Sequence, residues 1–269
     1  MVTKSKKLDV IIIGSGFAGL YMLHKLREIN LNAIIIEKGS GVGGTWFWNR
    51  YPGARCDIES IEYSYSFSDE LQQEWNWSNR YSDQSEILKY LNHVADKFDL
   101  RKNIIFNSTV LSSTYQEKTN EWIIDTESDS FVTKFCVMAT GTLSSIKEPN
   151  FEGLEDFQGE LYITGKWPHH RVDFTNKKVG IIGTGSSAVQ SIPVIANEAK
   201  KLSVFQRSPN YSIPAHNKPL SRSEISNAKS NYSEIRNKAK YTRAGIGYNQ
   251  FQERKILDFP KDYIIEELN

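Results

Sequence analysis

Gly14-Ser15-Gly16-Phe17-Ala18-Gly19 forms a G-x-G-x-x-G turn between an apolar strand-like run and a helix-like run. In such a turn the first glycine permits the tight reversal. The second lets a pyrophosphate approach the backbone, and the third lets helix and strand pack closely. The N–H groups and partial positive charge of a helix N-terminus suit the phosphates of a dinucleotide. Glu37 ends the next apolar strand. A carboxylate there accepts hydrogen bonds from both ribose hydroxyls, which favours FAD or NAD over NADP. Gly183-Thr184-Gly185-Ser186-Ser187-Ala188 is a second turn, with alanine at the third glycine position. No acid ends the following strand. Gln206-Arg207-Ser208 stands there instead. The forked guanidinium of Arg207 suits a 2′-phosphate, and Ser208 adds a hydroxyl, so this turn predicts NADPH. Thr184, Ser186, Ser187 and Gln190 are further candidate contacts of the second cofactor. Two nucleotide sites of different preference imply hydride transfer from NADPH to FAD.

The elements that hold these turns read as two βαβ units. Leu8 to Ile13, Phe17 to Asn30 and Ala33 to Ile36 form the first; Val179 to Ile182, Ser186 to Glu198 and Leu202 to Gln206 form the second. Pro193 falls inside the second helix and predicts a kink or an early stop. Gly39 to Pro52 is a Gly/Trp-rich loop. Ser85 to Phe98 has helical spacing, with Ile87, Leu88, Leu91, Val94, Ala95 and Phe98 inward. Ile104 to Tyr115, Trp122 to Thr126 and Phe131 to Met138 read as three strands of a meander. From Ser221 the chain is polar and helix-prone, and Asp262 to Leu268 looks like the opening of an amphipathic helix behind Pro260. The expected architecture is α/β, with two Rossmann-like dinucleotide-binding domains. Residues 1–143 would be the N-terminal part of an FAD domain. Residues 144–269 would be an NADP domain with the start of a helical insertion.

Composition narrows the function classes. Lys plus Arg is 33 and Asp plus Glu is 32 in 269 residues. This balance argues against nucleic-acid and membrane-surface binding. There is no apolar run long enough to span a bilayer, and the basic start, Met1 to Lys7, lacks the pattern of a signal peptide. Cys56 and Cys136 suggest neither a disulfide framework nor a metal site, and a reducing cytoplasm fits best.

Longer motifs carry a family resemblance. Gly43-Gly44-Thr45-Trp46-Phe47-Trp48-Asn49-Arg50-Tyr51-Pro52-Gly53-Ala54-Arg55-Cys56-Asp57, Glu74-Trp75-Asn76-Trp77, Ala139-Thr140-Gly141 and Val204-Phe205-Gln206-Arg207 resemble the flavin-dependent Baeyer–Villiger monooxygenases. The resemblance runs from about Leu8 to about Pro219. It implies FAD and NADPH as cofactors, and O₂ and a small ketone as substrates. Ester or lactone would form through a C4a-peroxyflavin. It also implies that Thr45, Trp46 and Trp48 line the flavin with Tyr63 nearby, and that Val110 meets the adenine end of FAD through its backbone. Arg55, Cys56 and Asp57 would lie between flavin and nicotinamide. Asp57 would be catalytic by supporting an arginine that keeps the peroxide ionised. On residue type alone, Asp57 also suits a loop Asp capping a turn, and the tryptophans suit core packing.

Two departures stand out. The family signature Phe-x-Gly-x-x-x-His-x-x-x-Trp-Pro appears as Phe157, Gly159, Ile163, Trp167 and Pro168, and isoleucine has none of the hydrogen bonds of an imidazole. His169 and His170 are out of register and expected to be exposed. The family also runs to about twice this length, by resemblance, which would put the catalytic arginine and the rest of the FAD domain beyond Asn269. Arg50 and Arg55 are then candidates only for flavin or nicotinamide contacts. Two other functions fit the same motifs: a flavin-containing N- or S-oxygenating enzyme, and an inactive nucleotide-binding remnant.

Overall fold

The computed structural model describes residues 8–210, 212, 214–242, 244–247 and 260–262. Elements follow in the order β1 (Leu8–Ile13), α1 (Phe17–Glu28), β2 (Ala33–Ile36), α2 (Thr45–Trp48), α3 (Asp69–Glu74) and α4 (Gln84–Lys97). Then come β3 (Ile104–Ile105), β4 (Val110–Gln116), β5 (Glu121–Thr126), β6 (Ser130–Met138), β7 (Lys178–Ile182), α5 (Ser186–Glu198), β8 (Lys201–Phe205) and α6 (Arg222–Lys240). The chain forms two compact units. One holds residues 1–51 and 84–172, the other 52–83 and 173–269. The segment 52–83 therefore groups with the second glycine turn and 144–172 with the first.

The first unit is built on a six-stranded sheet of order β3-β2-β1-β6-β5-β4. β1 lies between two parallel partners, with Ile11 opposite Ile34 on one side and Cys136 on the other. A strand covered on both faces needs an apolar run without alternation, which is why Val10, Ile11 and Ile12 are consecutive. Ile11 and Ile12 are both fully buried. Leu8, Ile11, Ile36 and Ile124 form one core cluster, against which Val110 and Cys136 also pack. Each such side chain contributes about 1.5–3 kcal/mol on burial. On α4 the buried face is Ile87, Tyr90, Leu91, Val94 and Ala95. Tyr90 thus takes an inward position, while Leu88 is only half-buried and Phe98 lies past the helix end.

The expected first strand of the meander is two strands. Ile104 and Ile105 pair in parallel with Ile35 and Ile36, while Val110 to Gln116 pairs antiparallel with β5. Two hydrogen bonds impose the break: Asn107 N donates to Gly39 O at 3.0 Å and Ser108 N to Glu37 O at 3.0 Å. Asn107 takes a left-handed conformation, φ 53°, a region asparagine tolerates better than most residues. The remaining β4-β5-β6 meander is as expected. The Gly/Trp-rich stretch is not all loop, because it contains the single turn α2.

The second unit contains β7 and β8, paired in parallel from Lys178↔Lys201 to Ile182↔Phe205. α5 continues through Pro193 to Glu198, so the expected early stop does not occur. Pro193 and Val189 are both exposed, so water can take the Val189 carbonyl that the proline ring leaves without a donor. α6 begins at a capping box in which Ser221 and Glu224 bond reciprocally. Arg236 of α6 anchors the 52–83 segment: its Nε donates to Gln72 Oε1 at 3.1 Å, Nη1 to Glu62 O at 3.0 Å and Nη2 to Ser64 Oγ at 2.7 Å. The expected helix at Asp262 to Leu268 lies outside the described residues beyond Asp262, as does Met1 to Lys7. Among the described residues no helix is long and apolar enough to cross a membrane, and no cluster of residues could hold a metal ion.

Candidate nucleotide sites

The two glycine turns are closed by the same bond. Gly14 N donates to Ile36 O at 2.9 Å, and Gly183 N to Phe205 O at 2.8 Å. Each turn leads into a helix whose N-cap is the second glycine, Gly16 for α1 and Gly185 for α5. Neither N-cap has a side-chain cap, and neither first turn holds an acid. Uncapped N–H groups at a helix N-terminus, without a competing carboxylate, suit a pyrophosphate.

At the first turn the protein itself demands the glycines. Gly14 has φ 104°, and a Cβ on it would lie 2.6 Å from Ala139 O. A Cβ on Gly19 would overlap Gly14 O, and one on Gly44 would lie 2.9 Å from the Gly16 Cα. The last contact docks α2 on the turn, helped by Gly43 N donating to Ser15 O at 3.1 Å. Glu37 is buried beside the turn. It accepts from Ser15 N at 2.7 Å, from Ser15 Oγ at 2.8 Å and from Gly39 N at 2.7 Å. The acid expected to read a ribose is thus fixed by charge-assisted bonds from both flanking loops.

α2 carries Thr45, Trp46 and Trp48. Trp46 is buried and its carbonyl accepts from Gln84 Nε2; Thr45 and Trp48 are half-buried. Trp48 stacks edge-on with Phe47, at 4.9 Å between centroids, and with His169, at 6.4 Å. His169 also meets Phe47 at 5.3 Å. It is exposed by area as expected, yet its ring joins the aromatic group. Partial burial first, and then the Arg50 guanidinium, hold its pKa below the usual imidazole value. Ile163 sits half-buried in extended backbone, φ −113°, and its carbonyl accepts from Lys166 N at 2.8 Å. Val110 opens β4 and pairs with Thr126.

Arg55, Cys56, Asp57 and Tyr63 belong to the second unit. Cys56 is buried, and burial pushes its thiol up to about 11, so it stays protonated at neutral pH. Asp57 is exposed, and Arg55 and Tyr63 are half-buried. Arg55 N and O both meet the side-chain amide of Gln190, at 3.3 and 3.1 Å. At the second turn the surroundings are open. A Cβ on Gly183 or Gly185 would have no atom within 4 Å, although Gly183 still has φ 98°. Arg207 and Ser208 are exposed at the end of β8. Gln206 Nε2 donates to Thr184 Oγ1 at 2.9 Å and Asn210 Nδ2 to Thr184 O at 2.6 Å. Asn210, Gln84, Ser15 and His169 support these sites without having been singled out by the motifs. Ser15 alone carried a signal, being a hydroxyl residue inside the first turn.

Fold and site together give two glycine turns of the dinucleotide-binding kind, one followed by a buried acid and one by an exposed base. The chain belongs to the family described as pyridine nucleotide-disulphide oxidoreductase, whose sequence profile matches residues 11–255. Over 262 residues it is 46% identical to a Baeyer-Villiger monooxygenase of Pseudooceanicola batsensis, covering 97% of this chain and 48% of that protein. The solved structure of an oxidized steroid monooxygenase bound to NADP superposes with TM-score 0.92 at 48% identity, covering 97% of this chain and 51% of that one. A crystal structure of the OTEMO complex with FAD and NADP gives TM-score 0.91 at 38% identity, covering 98% and 52%. The chain spans about half the length of the curated relatives it matches and corresponds to their N-terminal part.

Proposed function

We propose that this chain supplies the nucleotide-binding machinery of a flavoprotein monooxygenase that uses NADPH and O₂ to convert ketones to esters or lactones. The observation that carries the reading is the pair of uncapped glycine turns with opposite endings, the buried Glu37 at one and the exposed Arg207 at the other. The unit of residues 1–51 and 84–172 carries the FAD turn, and the unit of residues 52–83 and 173–269 carries the NADPH turn. FAD, when bound, supplies the hydride acceptor and the oxygen-activating chemistry.

The chain's own residues bind and orient. α1 and α5 present their N-terminal N–H groups to the two pyrophosphates, from Gly14, Gly16 and Gly19 and from Gly183, Thr184, Gly185, Ser186 and Ser187. Glu37 takes the ribose hydroxyls of FAD. Arg207 and Ser208 take the 2′-phosphate of NADPH. Thr45, Trp46, Trp48 and Tyr63 bound the flavin and keep water from it, and Val110 offers its backbone to the adenine end. Asp57 is an exposed carboxylate suited to holding a cation in place. Ketone, O₂ and the two cofactors are the partners. The free thiols of Cys56 and Cys136 support a reducing, cytoplasmic setting.

The test is incubation of the whole translated reading frame that carries this chain with FAD, NADPH and ¹⁸O₂ across a panel of cyclic and aryl ketones. One ¹⁸O atom in an ester or lactone is the expected result. Label found only in N-oxides or sulfoxides supports the heteroatom-oxygenating reading instead. NADPH binding without O₂ uptake supports a nucleotide-binding remnant.

A further inference from the structure

Residues 52–57 follow a path that α5 dictates. Gly53 has φ 78°, and a Cβ on it would overlap the Gln190 carbonyl oxygen while meeting Val194 Cγ2 at 3.1 Å. The loop backbone therefore lies directly against the helix, which only glycine allows. Two residues on, Arg55 N donates to Gln190 Oε1 at 3.3 Å, and Gln190 Nε2 donates to Arg55 O at 3.1 Å. A side-chain amide here imitates a neighbouring strand, exchanging both bonds with one residue as a hydrogen-bonded β pair does. On its other edge Arg55 bridges Asp83 in antiparallel fashion, and Cys56 N donates to Ser82 O at 3.3 Å. The peptide of Arg55 is thus held from both sides, and the adjoining Cys56 is buried while Asp57 is exposed.

Gln190 is also one helical turn into α5, whose first residue is Ser186. About 6 Å of helix rise separates the amide from the N–H groups offered to a pyrophosphate. One rigid helix therefore carries both the nucleotide turn and the clamp on the Arg55–Asp57 loop.

We propose that Gln190 is a positioning residue that couples occupancy of the Gly183 turn by NADP to the placement of the loop bearing Arg55, Cys56 and Asp57. This rests on the reading of that turn as the NADP site, and it gives Gln190 a role through the loop instead of on the cofactor. Nucleotide bound at the N-terminus of α5 stiffens the helix, and the stiffened helix holds the loop. The exposed Asp57 carboxylate is presented in a fixed position only while the clamp is made.

The buried Cys56 thiol is a built-in reporter of loop opening, and Cys136 in the other unit is the internal standard. The experiment is timed alkylation of the chain with N-ethylmaleimide, each cysteine followed by peptide mass spectrometry, with and without saturating NADP⁺. NADP⁺ binding is first measured by calorimetry on the unmodified chain. Expected: NADP⁺ slows Cys56 alkylation, Gln190→Ala speeds it about tenfold with Cys136 unchanged, and NADP⁺ no longer protects Cys56 in that variant. Gln190→Glu keeps the acceptor for Arg55 N, loses the donor, and falls between. An unchanged Cys56 rate in Gln190→Ala overturns the proposal. So does protection by NADP⁺ that is equal in both proteins, and so does a parallel rise at Cys56 and Cys136, which marks general loosening. Absence of NADP⁺ binding in calorimetry overturns the reading of the turn itself and is seen before any labelling.

Discussion

The two βαβ units share a closing hydrogen bond and a glycine N-cap, yet differ in why their glycines are needed. At the first turn, added Cβ atoms would strike Ala139 O, Gly14 O and the Gly16 Cα. Folding alone excludes larger residues there. At the second turn the added atoms would meet nothing within 4 Å. There Gly183 answers to its own backbone, φ 98°, and Gly185 has no neighbour that excludes a larger residue. The same pattern of letters is fixed by packing in one place and left open by packing in the other.

The sharpest way to break this contrast is to substitute alanine at one glycine of each turn. Gly19→Ala should cost about 3 kcal/mol of stability, because backbone has to move. Gly185→Ala has φ −72° and open surroundings, so its stability should change by no more than about 0.5 kcal/mol, as at other unstrained surface sites. Denaturant unfolding measures both, and calorimetry should show that Gly185→Ala instead weakens NADP⁺ binding. Comparable stability losses would erase the distinction.

Arg207→Ala should raise the Kd for NADPH by about ten- to a hundredfold, the range of a lost charge-assisted bond of about 1.5–3 kcal/mol. NADH binding should barely change, and equal losses would show that Arg207 does not read the 2′-phosphate. Glu37→Gln should cost about 1–2 kcal/mol in the first unit by weakening the bonds from Ser15 and Gly39. FAD affinity should drop with it in an equilibrium titration. The mildest effect is one of pH. The Cys56 thiol rises from an ordinary value of 9.0 to about 11 through burial. Its contribution is complete below pH 9 and is lost as pH climbs through 11, because the unfolded thiol ionises first. Stability should therefore decline over that window in the parent protein, and Cys56→Ala should flatten the decline.

Several elements were legible from sequence because local pattern decides them. β1, β2 and α5 have the bounds that their apolar runs and glycine turns indicate. The nucleotide turns were legible for the same reason, with strand, turn, helix and terminal residue contiguous in the chain. What was not legible depends on distant partners. Nothing in Ile104 to Tyr115 announces that Gly39 and Glu37 will split it at Asn107 and Ser108. Pro193 reads as a breaker because its solvent-facing position is a property of the packed unit. The grouping of 52–83 with the second turn involves Arg236, Gln190 and the 217–220 segment, whose contacts lie far along the chain. His169 came into the aromatic group through the path of the backbone, which no spacing rule conveys.

The sheet order β3-β2-β1-β6-β5-β4 has a consequence for how the chain is made. β1 emerges first from the ribosome and soon acquires β2, but its other edge waits for β6, whose register runs from Thr133 beside Leu8 to Met138 beside Ile13. At synthesis rates of about 5–20 residues per second, the apolar flank of β1 stays uncovered for many seconds. Closing so long a loop is also slow on entropic grounds. The strand that ends at the first glycine turn is thus left with one open edge during translation, and the contact of Gly14 with Ala139 forms only when Ala139 arrives.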